Sequence, residues 1–290
     1  LGDVYKRQIY LFAGCPPCQN FSRQNPLNKN KTEEERKKLL FEFLRIIEEI
    51  LPPFILMENV PGIKSEINGK ILTEFLNRLK EKYDVYDEIL NAANYGVPQA
   101  RRRYVLHAVR KDINNELKTY GFVFALPIAT HNKNGTDGLK SWKTVRDAIG
   151  DLPPIKAGEL YQGNVNIHNH KCASLSDINL KRIKEIRKHG GTRTGLPDEL
   201  VLECHKKKDS KGNVFNGHKD VYGIMDPDKP SPTITGGCLC YSKGRYGHYS
   251  QDRAISIREA ARLQTFPDDF IFSNSVSYTH LRAHETCADL

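Results

Sequence analysis

Apolar residues recur at helical spacing in two stretches near the start of the chain. The first stretch begins at a capping-box signature, Thr32-x-x-Glu35, and ends at Pro52-Pro53. Its periodic apolar residues are Leu39, Leu40, Phe43, Leu44, Ile46, Ile47 and Ile50. The second stretch carries the same spacing at Ile71, Leu72, Phe75, Leu76 and Leu79. Both patterns predict amphipathic helices that bury one face.

Four short apolar runs before, between and after these helices are typical of buried strands. They lie at residues 9–13, 54–57, 85–90 and 104–109. Strand and helix therefore alternate from residue 9 to about 110, which predicts a parallel α/β sheet. Ligands and catalytic groups in such sheets lie at the carboxyl ends of the strands. Because Cys18 and Glu58 each follow a predicted strand, we expect both at one edge of the sheet.

The pattern changes after about residue 127. Between Lys156 and Asp220 there are 13 Lys and Arg against 8 Asp and Glu, with five histidines and little periodicity. This composition predicts a smaller, irregular second domain with a basic surface. From about Tyr249 a helical pattern returns, and we expect it to pack on the first domain through Ala260, Ala261 and Leu263.

The domain boundaries follow from these changes of pattern. We assign residues 9–126 to a first domain, 127–247 to a second, and 248–274 to a return to the first. The two ends, 1–8 and 275–290, show no periodicity that joins them to the rest, and the chain starts at Leu1. We therefore exclude both ends as non-native sequence and expect the remainder to come from a truncated gene.

Charge adds a candidate partner to this picture. The 290-residue chain has a formal net charge of +9 and a pI of about 9.1. Lysines and arginines that neutralise phosphates give sequence-independent affinity for nucleic acid, although charge alone favours a merely basic soluble protein equally well. No apolar run is long enough to span a bilayer. The seven cysteines are unevenly scattered, which indicates a reducing cytoplasm rather than a disulfide framework.

Two of these cysteines form Cys15-Pro-Pro-Cys18, a motif that allows three interpretations: a redox dithiol, half of a zinc site, or one nucleophile beside an incidental neighbour. A redox pair normally opens a helix, whereas the next helix here is predicted only near Thr32. Zinc needs two further ligands, and the one-residue gap of Cys238-x-Cys240 fits the usual paired spacing poorly. We therefore favour the nucleophile and expect no metal site.

Four motifs occur in a fixed order along the chain. They are Pro16-Pro-Cys-Gln19 with Phe21-Ser22, Glu58-Asn-Val60, Tyr95-Gly-Val-Pro98 followed by Gln99-x-Arg101-x-Arg103, and REAARLQTFPD from Arg258 to Asp268. Together they resemble the DNA (cytosine-5)-methyltransferases of bacterial restriction–modification systems, over about residues 9–272. The resemblance implies the Rossmann-like α/β sheet of S-adenosylmethionine-dependent methyltransferases. It also implies a smaller irregular, β-rich target-recognition domain, placed at about 127–247.

The resemblance implies a catalytic role for four residues. Cys18 is the nucleophile that adds to C6 of cytosine, because a thiolate is strongly nucleophilic and can leave again. Glu58 in its protonated form donates to N3 of the ring. Arg103 contacts the base O2, and Arg101 lies near the phosphate or the thiolate. Nearby positive charge of this kind raises the thiolate fraction of a cysteine.

Further residues are implied to bind the cofactor and the DNA. S-adenosyl-L-methionine is expected against Pro17 and Leu39. The DNA contacts are expected at Gln19, Ser22, Asn59, Gln99, Thr233, Gly236 and Gly237. Thr233 belongs to Pro232-Thr-Ile234, which resembles a pair beside the flipped nucleotide in this family, and the two glycines suit a close approach of backbone to DNA. We expect a monomer that acts on duplex DNA, with a possible cognate restriction endonuclease.

The chain also departs from the family pattern. Cys15 stands where the family more often has Gly or Phe, and the family's glycine-rich cofactor loop and its final Gly-Asn segment are not seen, which agrees with truncation. Two alternatives stay open: a tRNA cytosine-5 methyltransferase, and a non-catalytic DNA-binding fragment. The long basic second domain favours DNA, and intact Cys18, Glu58, Arg101 and Arg103 favour catalysis in the parent protein.

Overall fold

The computed structural model describes residues 10–17, 32–206 and 220–272. Contacts divide these residues into two compact units. The first, the sheet unit, comprises 10–17, 32–91 and 102–129, and the second, the loop unit, comprises 92–101, 130–206 and 220–272. No helix among the described residues is long and apolar enough to cross a membrane.

The sheet unit is built on four strands: β1 (Leu11–Gly14), β2 (Phe54–Asn59), β3 (Tyr83–Asn91) and β4 (Arg102–Arg110). Their order is β1-β2-β4-β3. β1 and β2 are parallel, as predicted, but β4 runs antiparallel to both of its neighbours, so the prediction of a wholly parallel sheet is wrong. The reason is the connection of residues 92–101, which contains no crossover helix and therefore joins β3 to β4 as antiparallel neighbours.

The predicted helices of the sheet unit are confirmed as α1 (Glu33–Ile50) and α2 (Glu66–Lys82), and α3 (Lys111–Thr119) follows β4. α1 begins at the predicted capping box, in which the Glu35 amide donates to Thr32 Oγ1 at 3.2 Å and the Thr32 amide donates to Glu35 Oε2 at 2.8 Å. It ends at Ile50, and the next residue, Leu51, is a left-handed cap with φ of 50° directly before the two prolines. A 3-10 turn, Pro61–Lys64, connects β2 to α2.

The two faces of the sheet differ in burial. One face packs against α1 and α2 in a core that includes Leu40, Leu44, Ile47, Ile55, Met57, Ile71, Phe75, Tyr104 and Leu106. The other face is half-buried and carries Phe124 against Phe54, Tyr86 and His107, with ring centroids 5.6, 5.9 and 6.2 Å apart. Along β2 the burial alternates, so Glu58 lies on the half-buried face and Asn59 on the core face.

The loop unit is irregular, as predicted. Its described helices are short: α4 (Val145–Ile149), α5 (Asp177–Lys188), α6 (Glu203–Lys206) and α7 (Ile257–Arg262). It is not rich in strands, however, since regular β structure in its described residues is limited to β5 (His131–Asn132) and β6 (Lys140–Ser141) with isolated bridges. Two further 3-10 turns, Ala92–Tyr95 and Tyr241–Lys243, belong to this unit.

The loop unit has a core of its own. Ala260, Ala261 and Leu263 at α7 contribute to it together with Val145, Ile149, Ile234, Tyr246 and Ile255. α7 starts with a capping box between Ser256 and Glu259, which explains the helical pattern seen in the sequence. Contacts group residues 248–272 with the loop unit, whereas the assignment of 248–274 to a catalytic domain and of 127–247 to target recognition stays a prediction.

Candidate active site

Glu58 and Arg103 form an ion pair at the end of the sheet. Glu58 is the penultimate residue of β2 and lies opposite Val105 on β4, which brings Arg103 onto the same half-buried face. Arg103 Nε lies 2.8 Å from Glu58 Oε1, and the two side chains are 20% and 28% exposed. The sheet therefore holds a carboxyl group and a guanidinium in contact at a partly water-accessible edge.

Asn59 joins the ends of β1 and β2. Its side chain is 1% exposed, Nδ2 donates to the Pro16 carbonyl at 3.0 Å, and Oδ1 accepts from the Val60 amide at 2.9 Å. The parallel register pairs Gly14 with Met57, so the segments that follow the two strands run side by side. β1 and β2 therefore end at the same edge of the sheet, whereas the predicted place of Cys18 beside Glu58 stays a prediction.

This hydrogen bond holds the chain segment that leads to Cys18, the predicted nucleophile. Pro16 is buried and Pro17 is half-buried, and both follow β1 after Cys15. Cys18, Gln19 and Ser22 lie outside the described residues, so their predicted roles stay predictions. The described chain nevertheless fixes the backbone of Pro16, two residues before Cys18, against the residue that follows Glu58.

Gly14 is required by the packing beside this segment. A Cβ atom at Gly14 would lie 2.2 Å from Phe43 Cε2, and Phe43 is itself held by stacking on Phe12 at a centroid distance of 5.2 Å. The ring of Phe43, which belongs to α1, thus packs directly on the backbone of β1. Only glycine fits at the last residue of β1 without displacing Phe43.

The structure gives the positions of two other predicted site residues, Leu39 and Arg101, but does not test their roles. Leu39 is 44% exposed on α1, as the cofactor prediction requires of a surface residue. Arg101 belongs to the loop unit, where its amide donates to the Gln99 carbonyl at 3.0 Å and its carbonyl accepts from the Ala92 amide at 2.9 Å.

Gln99 is an internal residue of the loop unit. It is 3% exposed, its Nε2 donates to the Leu263 carbonyl at 3.3 Å, and its Oε1 accepts from the Ile234 amide at 3.1 Å. The side chain therefore holds the Pro232–Ile234 segment against the end of α7. Its predicted contact with DNA stays a prediction.

Thr233, Gly236 and Gly237 lie in the same unit. The Thr233 hydroxyl donates to the Ala100 carbonyl at 3.4 Å, and its own carbonyl accepts from Tyr246 Oη at 3.0 Å. Gly236 is buried, and a Cβ at Gly237 would lie 3.0 Å from the Lys243 side chain. Close packing within the unit therefore explains Gly237, and the predicted approach of both glycines to DNA stays a prediction.

The last sequence motif forms a buried polar network that sequence reasoning did not find. Arg253 donates to both carboxylate oxygens of Glu259 at 2.7 Å, and both residues are fully buried. Burial raises the pKa of Glu259, but the hydrogen bonds and charge of Arg253 outweigh it and hold that pKa below its ordinary value. The available signal was Ser256-x-x-Glu259, a second capping box.

Arg258 and Arg262 make hydrogen bonds and ion pairs within the loop unit. Arg258 is fully buried and donates to the carbonyls of His168, Pro267 and Phe270 at 2.8, 3.0 and 2.6 Å. Arg262 binds Asp151 and Asp268 through contacts of 2.5 and 2.7 Å. Both arginines therefore hold the loop that carries the Phe-Pro-Asp sequence.

The mixed α/β fold of this chain also occurs among methyltransferases of known structure. A crystal structure of a predicted DNA modification methyltransferase encoded within an E. coli prophage shares it, with a TM-score of 0.51 and 23% identity over 97% of this chain and 76% of that one. Residues 3–283 match the C-5 cytosine-specific DNA methylase family, and the chain belongs to this family. The match includes part of both end segments that the sequence predictions excluded.

Two bacterial relatives are similar to most of the chain. It is 38% identical over 267 residues to the Type II methylase M.HgiDII of Herpetosiphon aurantiacus, covering 92% of this chain and 68% of that protein. It is 32% identical over 273 residues to the Type II methyltransferase M1.HphI of Haemophilus parahaemolyticus, covering 94% and 63%. The chain thus spans about two thirds of the length of these relatives.

Proposed function

We propose that the parent protein transfers a methyl group from S-adenosylmethionine to C5 of cytosine in a specific duplex DNA sequence, as part of a restriction–modification system. Family membership and the Type II relatives support the reaction class. The observation that carries the proposal is the hydrogen bond from Asn59 to the Pro16 carbonyl. It ties the segment that leads to Cys18 to the residue that directly follows Glu58, and Glu58 is itself paired with Arg103.

The chemistry requires a nucleophile and an acid on one base. The Cys18 thiolate attacks C6 of cytosine, and the electron pair of the C5–C6 double bond then becomes available at C5. Glu58 hydrogen-bonds or donates a proton at N3, where negative charge develops. After C5 has gained the methyl group, it releases its proton to solvent, the C5–C6 double bond re-forms as the thiolate leaves C6, and N3 returns its proton to Glu58.

Arg103 has two tasks in this proposal. Its Nε holds Glu58 Oε1, so the carboxyl group keeps one orientation as the base arrives. Its positive charge at the same edge favours the electron-rich adduct, and contact with the base O2 is the role that the sequence predicts. Arg101 is assigned to the neighbouring phosphate or to the thiolate.

The described residues fit S-adenosylmethionine at the carboxyl edge of the sheet in one respect. In a β-α-β crossover the amino-terminal half of the helix lies at that edge, and α1 there presents Leu39 as an exposed apolar side chain. Leu39 and Pro17 would form an apolar wall for the bound molecule. When bound, it supplies the electrophilic methyl group.

Duplex DNA is the proposed partner, bound with the target cytosine flipped out of the stack because its C6 is not reachable inside the duplex. The basic region 156–220, part of which lies outside the described residues, agrees with a polyanionic substrate. We further propose a monomer in the reducing cytoplasm, with a cognate restriction endonuclease as a partner in the system.

A covalent trap tests the proposal. Duplex DNA that carries 5-fluorocytosine in the recognition site is incubated with the full-length enzyme and S-adenosylmethionine. Because fluorine at C5 cannot leave as a proton does, the adduct should persist and peptide mapping should locate it at Cys18. Cys18→Ser should form no adduct while still binding DNA. Cys15→Ala, the matched control, should form it normally.

An adduct at Cys15 would show that Cys18 is not the nucleophile. If the wild-type enzyme forms no adduct, the proposed mechanism is wrong. Equal losses from the two cysteine substitutions would support the dithiol interpretation instead.

A further inference from the structure

A second ion pair lies on the opposite face of the sheet from Glu58. Lys64 Nζ lies 2.7 Å from Asp87 Oδ2, and the two side chains are 35% and 18% exposed. Lys64 is the last residue of the 3-10 turn that follows β2. Asp87 lies in the middle of β3, opposite the buried Leu106 of β4. The pair therefore connects the turn after Glu58 to a strand two positions away in the sheet.

Tyr104 gives this pair a fixed surface to lie on. Lys64 Nζ lies 5.2 Å from the centroid of the Tyr104 ring, and Tyr104 is fully buried. Tyr104 is also the residue of β4 that pairs directly with Asn59. A cation over an aromatic ring is attracted to its face, so the ring restricts where the ammonium group can lie.

The turn transmits this position to the site residues. The Ile63 amide donates to the Val60 carbonyl at 3.1 Å, and the Ser65 amide donates to the Gly62 carbonyl at 3.1 Å. Asn68 Nδ2 holds the Gly62 carbonyl from α2 at 3.0 Å. The turn is thus a hydrogen-bonded unit, and a shift of Lys64 would move Val60 and, through the Val60 amide, Asn59.

We propose that Lys64 and Asp87 are positioning residues for the methyl-transfer reaction. They hold the turn so that Glu58 and Asn59 keep their places at the sheet edge, and Asn59 in turn keeps Pro16 and the segment before Cys18 in register. This inference rests on the proposed function, because it assumes that Glu58 and Cys18 act on one base. An isolated pair on an exposed surface would have no such effect on the reaction.

The expected effect is on the chemical step rather than on DNA binding. A displacement of about 1 Å in a reacting group lowers a rate by about 10²-fold, whereas it leaves distant binding contacts intact. Loss of the pair should therefore lower kcat by about 10- to 100-fold and change KM for DNA by less than about threefold.

The experiment compares variants of the full-length enzyme well below their measured melting temperatures. Lys64→Met and Asp87→Asn each remove one charge, and the double variant should be no slower than the slower single variant because the same pair is lost. Lys64→Arg keeps the cation and should recover most of kcat. The matched control is Arg78→Met, which removes the ion pair of Arg78 with Glu48 between α2 and α1, at 2.6 Å in the same unit.

Rates of adduct formation with 5-fluorocytosine DNA separate this inference from the proposed function. If the wild type forms the adduct and Lys64→Met forms it more slowly while Arg78→Met does not, the positioning role holds. If Lys64→Met and Arg78→Met both form the adduct as fast as the wild type, or if both form it equally slowly, the positioning role is wrong although the proposed function stands. A wild type that forms no adduct contradicts the proposed function itself.

Discussion

Glu58 is the residue whose surroundings define most about the site. It is held on one side by Arg103 at 2.8 Å, and the residue that follows it is hydrogen-bonded to the chain before Cys18. Glu58→Gln keeps the shape of the side chain but cannot supply a proton to N3. Since that donation matters most in the transition state, kcat should fall by about 10²- to 10⁴-fold with little change in DNA affinity.

Single-turnover methylation and a DNA-binding titration measure the two quantities separately. A rise in KM with an unchanged kcat would mean that Glu58 only binds the substrate.

Gly14 supports the site through packing alone. Gly14→Ala would force its new Cβ towards Phe43, which lies 2.2 Å away and is fixed by Phe12. Overpacking of this kind costs about 1–3 kcal/mol, so the free energy of unfolding measured with urea should fall by that amount. Gly69→Ala is the control, because nothing lies within 4 Å of a Cβ at this α2 position.

Alanine at Gly69 should be neutral or slightly stabilising, since glycine inside a helix costs about 0.5–1 kcal/mol relative to alanine. Equal stability of Gly14→Ala and the wild type would show that Phe43 moves freely out of the way.

At the scale of elements, the bounds of helices were the most predictable feature. The capping box at Thr32 and the two prolines at 52 and 53 gave α1 its start and its end, and periodicity gave α2. Strand directions were not predictable, because an apolar run reads the same for a parallel and an antiparallel strand. Hence the predicted direction of β4 is wrong, although its predicted position along the chain is correct.

The candidate site was predictable in part for a related reason. The sequence motifs identify Glu58 and Arg103 as candidates but do not predict that the two side chains are in contact. That contact depends on the register of β2 and β4. The hydrogen bond from Asn59 to Pro16 spans 43 residues, and the one from Gln99 to Leu263 spans 164. Such contacts follow from the fold and are not encoded in any local pattern.

The buried network at the start of α7 gives a prediction about pH. His248 is 2% exposed, and its Nδ1 accepts from the amides of Ser250 and Gln251, both at 3.1 Å. Burial, with Arg253 and Arg187 nearby and Glu259 opposing them, lowers the pKa of His248 to about 4. A histidine in the unfolded chain has a pKa of about 6.5. As the pH falls, the unfolded chain therefore binds this proton before the folded chain does.

The stability that His248 contributes is therefore complete above about pH 6.5 and is lost as the pH falls towards 4, by up to about 3 kcal/mol. Urea unfolding at several pH values should show this slope for the wild type. His248→Gln should be less stable at pH 7.5 but should lose less on acidification. Parallel pH curves for the two proteins would place the titrating group elsewhere.

On the scale of the whole molecule, basic residues outnumber acidic ones, with 44 Lys and Arg against 35 Asp and Glu. Many basic side chains are balanced locally, such as Arg45 by Glu42 and Glu49 at 2.9 and 3.0 Å, or Arg110 by Asp112 at 2.7 Å. A formal charge of +9 remains over the chain. Uncompensated charge of this size raises the local concentration of a polyanion and speeds its encounter with the protein.

DNA affinity of the full-length enzyme should consequently fall steeply with salt. Each phosphate neutralised by Lys or Arg releases counterions, and about six such contacts would lower the affinity by about 10³-fold between about 50 and 200 mM salt. Fluorescence anisotropy with a labelled duplex measures the slope. Arg45→Gln should leave it unchanged, because the charge of Arg45 is already balanced by Glu42 and Glu49. A nearly flat response would instead favour a small molecule or a protein as the substrate.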